Sequence, residues 1–302
     1  MALKDIKTKI KATERMHKVT RAMEAVSAVK MRKTQQSAFA GRPYARAALS
    51  ILARLSGTGD IAQHPLSTAR EVKKVALVVM TSDKGLAGAL NSGVLKASVE
   101  AIAGFEKSDV QVYAYGRKAD EYFRRREYTV AKSFENKQDE IPLSDMEQLS
   151  ADLSSGFLAK EFDEVVAVYS NFKSTFEQLP TVRRVLPLSV DALARLVEDI
   201  QPVKGKWSED VAIEAPAAYE IEPSRDEILG ILVPKLVAVS LYHMLLESKA
   251  SEHSARMVAM KNASDKSKEV VRDLTRVFNK VRQAAITREV SEIVSGREAL
   301  SA

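Results

Sequence analysis

What most constrains this chain is a pair of long helical stretches at its two ends, with a different hydrophobic pattern between them. From Leu3 onward no glycine or proline interrupts the sequence before Gly41 and Pro43. Apolar side chains recur at Leu3, Ile6, Ile10, Met16, Val19, Met23 and Val26, a spacing that places them on one stripe of a helix. Alanine, lysine, arginine, glutamate and methionine, all strong helix formers, occupy much of the remainder. Pro43 has no backbone donor, so a break is expected near Gly41, with a resumed helical turn over Ala45–Leu55.

The second stretch opens with Ser224 as N-cap and Glu227 three residues on, and Ser295-Gly296 is its expected stop. Ile228, Leu232, Val239, Tyr242, Leu246, Met257, Met260, Val271, Leu274, Phe278 and Val281 hold a roughly heptad stripe, loosened to small residues around Ala250–Ser254. So long a periodic segment predicts a coiled coil or an extended helix. At 1.5 Å per residue it reaches on the order of 100 Å, against roughly 80 Å for the first helix if straight.

Between the two, Val75–Met80 is a continuous apolar run, the mark of a strand buried on both faces. Val110–Tyr115, Thr129–Phe134 and Glu164–Tyr169 read as further strands, alternating with helices at Val94–Phe105, Lys118–Arg126 and Ser144–Lys160. This alternation predicts a parallel α/β sheet. The organisation expected is an amino-terminal coiled-coil helix over 1–56, an α/β domain over 70–200, a connector over 201–223 and a carboxyl-terminal helix over 224–302. Because the insert must leave and rejoin the helices at its own surface, Leu55 and Ser224 should lie close and the helices should run antiparallel. Counting back from that junction puts Met1 beside about Phe278, by the common rise of the two helices. The remainder, with Ala284, Ala285, Ile286, Val290, Ile293, Val294 and Leu300, should then project without an intramolecular partner. An exposed apolar tip implies a socket in another protein.

The 45% hydrophobic content suffices for a buried core, and the formal charge of +6 predicts attraction to an acidic surface. The absence of cysteine excludes disulfides, thiolate nucleophiles and thiolate metal sites. No continuous run of about 18 apolar residues occurs and no signal region opens the sequence, so a soluble or peripherally bound protein is expected. His17, His64, His243 and His253 are scattered, and no metalloprotease, serine-hydrolase or Asp-x-Asp motif is present. The turn Thr81–Asn91, with Asp83, Lys84, Gly85 and Gly88, stands where doubly wound folds bind phosphate. It matches neither phosphate-loop pattern, since Lys84 precedes the glycines, and a tight strand-to-helix turn touching a partner is the preferred reading. The basic face of Lys4, Lys7, Lys9, Lys11, Arg15, Lys18, Arg21, Lys30, Arg32 and Lys33 has no aromatic residue before Phe39 on which a base could stack, so an acidic protein surface is preferred to nucleic acid. A DNA-organising protein or a Rossmann-type nucleotide enzyme would need a phosphate-binding loop that this sequence lacks.

Lys18–Lys33 closely resembles the amino-terminal helix of F-type ATP synthase gamma subunits, and Ser82–Asn91 resembles their Ser-Asp-Arg-Gly-Leu-Cys-Gly-Gly-Leu-Asn turn. Ala250–Lys261 and Asn279–Gly296 resemble that family almost residue for residue. The resemblance implies a long antiparallel coiled coil of the terminal helices with an inserted Rossmann-like domain. It implies the central rotor shaft of a proton-translocating ATP synthase, passing torque between a membrane c-ring and a catalytic alpha/beta hexamer and regulating ATPase activity and proton flow. The shaft itself would be non-catalytic and would carry no cofactor. The implied partners are alpha and beta, epsilon and the c-ring; the implied location is peripheral, on the cytoplasmic side of a bacterial inner membrane. Met23, Lys30 and Lys33 resemble residues facing an acidic segment of beta. Arg256, Gln283, Thr287, Glu289 and Glu292 resemble residues that contact the ring, and Asp83 and Lys84 belong to a partner-contacting turn. The sequence departs from the family at Lys84, Ala87, Ala89, Arg288, Val290 and Ser291, and lacks the cysteine-bearing insert of redox-regulated chloroplast members.

Overall fold

The computed structural model describes residues 3–40, 64–137, 141–189 and 224–301. The expected break at Pro43, the turn over 45–55, the Leu55 junction and the 201–223 connector lie outside them. The elements are α1 (Leu3–Ala40), β1 (Val75–Met80), α2 (Leu90–Ala101), β2 (Val110–Tyr115), α3 (Arg117–Arg124), β3 (Thr129–Phe134), α4 (Leu143–Leu158), β4 (Glu164–Phe172), β5 (Gln178–Leu186) and α5 (Arg225–Ser301). They form two compact units, residues 28–255 and residues 1–27 with 256–302.

In the unit 28–255 the sheet order is β3-β2-β1-β4-β5. β1 pairs in parallel with β2 and β4, with Val75 level with both Val110 and Glu164. Every residue of β1 is buried because each face of the sheet has its own core. On one face Ala76, Val78 and Met80 meet α4 and α5 through Leu149, Leu153, Leu236 and Leu241. On the other, Leu77 and Val79 join a cluster with Val94 of α2 and Phe123 of α3. Continuous apolar strands are what two covered faces require.

The sequence pattern predicts a parallel sheet, and the sheet observed is mixed. β5 runs antiparallel to β4 along Phe172↔Gln178 to Val165↔Leu186. Its Pro180, Arg183 and Arg184 break the apolar pattern because it is an edge strand, half exposed along most of its length. Proline is tolerated there because an edge leaves alternate N–H groups without a ladder partner. β4 extends to Phe172, and α2 begins at Leu90 rather than Val94.

The entry to β1 is clamped from below. Arg70 donates from Nε to Asp163 at 2.7 Å and from Nη2 to the carbonyls of Phe157, at 2.8 Å, and Phe162. Asp163 also accepts the backbone N–H groups of Lys73 and Lys74 at 3.0 Å. Burial pushes the Asp163 carboxyl up, but these two N–H groups and the Arg70 guanidinium outweigh it and hold it below the usual carboxylate value.

Ser224 caps α5 as expected, its Oγ accepting from Glu227 N at 3.3 Å. The helix contains Pro234, which deletes the bond to the carbonyl of Gly230. Gly230 is exposed, so water can take that carbonyl. One window within Leu229–Arg297 has a mean hydropathy of 1.8, enough by length and composition to cross a membrane. Here Leu229, Val233, Leu236, Val237, Leu241 and Leu245 are instead buried in the core against the sheet.

The expected stop at Gly296 fails, since α5 continues to Ser301. One glycine costs a helix only about 1 kcal/mol, and the strong helix formers Arg297, Glu298, Ala299 and Leu300 follow it.

In the unit of 1–27 and 256–302, His17 Nδ1 lies 3.0 Å from both the carbonyl oxygen and the Oγ of Ser264. For antiparallel helices this bond sets Leu3 level with Phe278, two residues from the register counted on the sequence. The covered positions of α1 in this unit are Leu3, Ile6, Ile10, Thr13, His17, Thr20 and Ser27, at the heptad spacing of a seam, with Met23 and Glu24 also half-covered. Those of α5 include Met260, Ser264, Ser267, Val271, Leu274, Phe278, Val281 and Ala285. The stripe expected on α1 is therefore only half right. Met16, Val19 and Val26 are exposed, and small polar residues occupy the seam in their place.

Candidate functional site

Doubly wound sheets bind ligands outside the carboxyl ends of their strands, where the strand order reverses. Here that point lies between β1 and β4, and α5 of the same chain is seated on it. Ser251 Oγ donates to the Ser170 carbonyl of β4 at 2.9 Å, and Ser254 Oγ to the Thr175 carbonyl of the β4–β5 turn at 2.7 Å. Ser248 Oγ lies 3.5 Å from the Met80 carbonyl that ends β1. One turn earlier on α5, His243 Nε2 and Glu247 Oε1 are 3.2 Å apart, both buried. Beneath them the Tyr169 hydroxyl accepts from Arg183 Nε at 2.8 Å. Burial first, then the Glu247 carboxylate, raises the Tyr169 phenol far above its ordinary range and keeps it protonated.

The turn after β1 is held rigidly. Asp83 is buried, and its carboxylate accepts Arg117 N at 2.7 Å and Asn136 N at 3.0 Å. Asn91 donates to Ser82 Oγ at 2.8 Å and accepts Ser82 N at 3.0 Å. The carboxylate of Asp83 thus faces inward, tying β1 to the start of α3, while Lys84 is exposed. Beside it Leu86 adopts φ 63 with its side chain 61% exposed. Bulky residues seldom take that conformation.

The other residues singled out in the sequence fall into three groups. Gln283, Thr287, Glu289 and Glu292 are exposed on α5 beyond the level of Leu3. Lys33 is exposed, and Met23 and Lys30 are half-buried on α1. Arg256 is buried rather than presented. Past Ala285 the apolar Ile286, Val290, Ile293 and Val294 are all exposed, Ile293 to 72%. Sequence reasoning missed the outward-facing Met16, Val19, Val26 and Val29 of α1, which their off-seam spacing could have revealed. It also missed the serine seat, visible beforehand only as a run of small residues. Among the described residues no group of three His, Asp or Glu is placed to hold a metal.

A family model described as ATP synthase matches residues 2–300. The ATP synthase gamma chain of Roseiflexus castenholzii is 39% identical over 99% of this chain and 98% of its own length. The chain belongs to the ATP synthase gamma-chain family. The gamma chains of Pelotomaculum thermopropionicum and Moorella thermoacetica are 36% and 37% identical, each over 99% of both chains. Among solved structures, a chain of the Euglena gracilis mitochondrial ATP synthase aligns at TM-score 0.64 and 18% identity, covering 99% of this chain and 94% of that one. One from the Tetrahymena thermophila mitochondrial ATP synthase, described as central stalk and c-ring, aligns at 0.60 and 24%, covering 82% and 99%. Both likenesses concern the fold. Two outward features of the chain stand out, the exposed apolar end of α5 and the basic outer face of α1.

Proposed function

We propose that this chain is the non-catalytic central shaft of a proton-translocating ATP synthase. It passes torque between a membrane c-ring and a catalytic alpha/beta hexamer, and so governs ATPase activity and proton flow. The observation that carries this reading is the end of α5. Ile286, Val290, Ile293 and Val294 are exposed beyond the level at which α1 can cover them, on a chain of the gamma family. A contiguous exposed apolar surface of this kind marks a site for another protein to enclose.

Gln283, Thr287, Glu289 and Glu292 supply hydrogen-bonding groups that a surrounding ring catches and releases. Met23, Lys30 and Lys33 face an acidic segment of beta. Exposed ion pairs are worth about 0–1 kcal/mol each, so basic groups can follow an acidic lever without locking to it. Lys84 meets a partner from the turn that Asp83 stiffens, and Arg256 acts from within the helix pair. The epsilon subunit and the c-ring engage the unit 28–255, and the membrane is reached only through the complex. The cytoplasmic face of a bacterial inner membrane is the corresponding location, supported by the bacterial gamma chains among the relatives.

The test is ATPase activity of alpha and beta mixed with this chain, with the chain truncated after Phe278, and of the chain alone. A stable active complex with the full chain, weakened by the truncation, supports the shaft reading. Hydrolysis by the isolated chain, or indifference of the ring to it, rejects the reading.

A further inference from the structure

The seat of α5 on the sheet adds a row of polar contacts to an interface that upstream is largely apolar. Upstream, Leu229, Val233, Leu236, Val237 and Leu241 make the contact. From His243 to Ser254 the helix is buried on every side, and among the apolar Met244, Leu245, Leu246 and Ala250 it carries Glu247, Ser251 and Ser254 at separations of four, four and three residues, in one row along the helix. Apolar contacts are non-directional and let neighbouring packings compete. Hydrogen bonds are directional and weaken steeply with misalignment.

Turning α5 by one residue swings each side chain through about 100° and would take all three serine hydroxyls off their carbonyls together. Ser251 and Ser254 are fully buried, and Ser248 nearly so, so water cannot replace what their hydroxyls give up, although the half-buried Thr175 carbonyl keeps Gln178 Nε2 at 3.0 Å as a second donor. A buried hydroxyl left unpaired costs its full desolvation.

We infer that Ser248, Ser251 and Ser254 are positioning residues for torque transfer: they fix the rotational register of α5 on the carboxyl ends of β1 and β4, so that the sheet unit and the helix turn without slipping. The inference rests on the shaft reading. The crevice in which related sheets hold a ligand is here the socket of a joint. Its directional bonds resist twist where a purely apolar socket would allow slippage.

The experiment uses the assembled membrane-bound complex and measures ATP hydrolysis together with ATP-driven proton pumping. Ser251→Ala with Ser254→Ala should leave hydrolysis near the wild-type rate while pumping per ATP falls at least about fivefold, the scale of one lost buried hydrogen bond. Ser254→Thr, which keeps the hydroxyl, should retain pumping. Wild-type pumping per ATP in the double alanine variant would overturn the inference. A wild-type chain unable to couple hydrolysis to pumping would instead sink the shaft reading. Should the double variant not assemble, a cross-link decides the matter, which the absence of native cysteine makes simple. With Thr175→Cys and Ser254→Cys, oxidation should leave pumping intact because the seat stays closed throughout the cycle. If oxidation stops turnover and reduction restores it, the seat opens during rotation and the inference fails.

Discussion

At Gly116 the backbone has φ +106, and a Cβ there would meet the Thr81 carbonyl oxygen at 2.1 Å. The approach cannot relax, because Thr81 and Gly116 are pinned by their own bonds: Thr81 N to Tyr115 O and Gly116 N to Phe134 O, both 2.8 Å. Gly116→Ala should cost more than about 3 kcal/mol, read as a lower urea midpoint, because strain and overpacking add. Gly88 also has a positive φ but opens onto empty space, so Gly88→Ala should cost only about 1–2 kcal/mol.

Asp163 adds a pH dependence of known sign. Its carboxyl is held below its ordinary value of 3.8, so its contribution is complete above about pH 4 and is lost as the pH falls through the lower folded value. Asp163→Asn should lower stability at neutral pH and flatten the loss below pH 4, in urea melts taken across that range. An unchanged acid limb in the variant would show that the Arg70 clamp contributes nothing.

Among the elements, α1 separates two kinds of apolar residue that look alike in sequence. Ile6 is fully buried in the seam and Met16 is 57% exposed. Ile6→Ala should destabilise the helix pair by about 2–5 kcal/mol, measured by the thermal transition in circular dichroism. Met16→Ala should shift that transition by no more than about 0.5 kcal/mol, the usual range for surface sites. On the shaft reading it should still weaken assembly with alpha and beta. The same contrast explains what could be read from the sequence. β1, β2 and the body of β4 were legible because two covered faces demand unbroken apolar runs. β5 was not, because an edge strand with Pro180, Arg183 and Arg184 obeys no simple alternation. The α1 seam was obscured because Thr13, His17, Thr20 and Ser27 hold positions that a period count assigns to apolar residues. The unpartnered end of α5 followed from counting helix lengths alone. The inward turn of Asp83 did not, since a turn carboxylate reads the same whichever way it points. The serine seat depends on a juxtaposition of residues about 80 apart, such as Ser170 and Ser251, that no local pattern encodes.

For the whole molecule, the proposed partner surfaces differ in physics, and salt separates them. The outer face of α1 is basic, with Lys4, Lys7, Lys11, Arg15, Lys18, Arg21 and Lys33 exposed, whereas the end of α5 offers Ile286, Val290, Ile293 and Val294. Raising ionic strength from about 0.1 M to 1 M shortens the screening length from about 10 Å to 3 Å, which removes most exposed charge attraction and leaves apolar burial intact. Association of the chain with the alpha/beta ring should therefore slow markedly with salt while dissociation changes little. Lys11→Glu with Lys18→Glu should abolish most of the salt dependence of the association rate, and Ile293→Asp should speed dissociation at every salt concentration. Surface-plasmon or stopped-flow kinetics of assembly would resolve the two. If Ile293→Asp altered only the association rate, the end of α5 would be an encounter surface rather than the enclosed tip of a shaft.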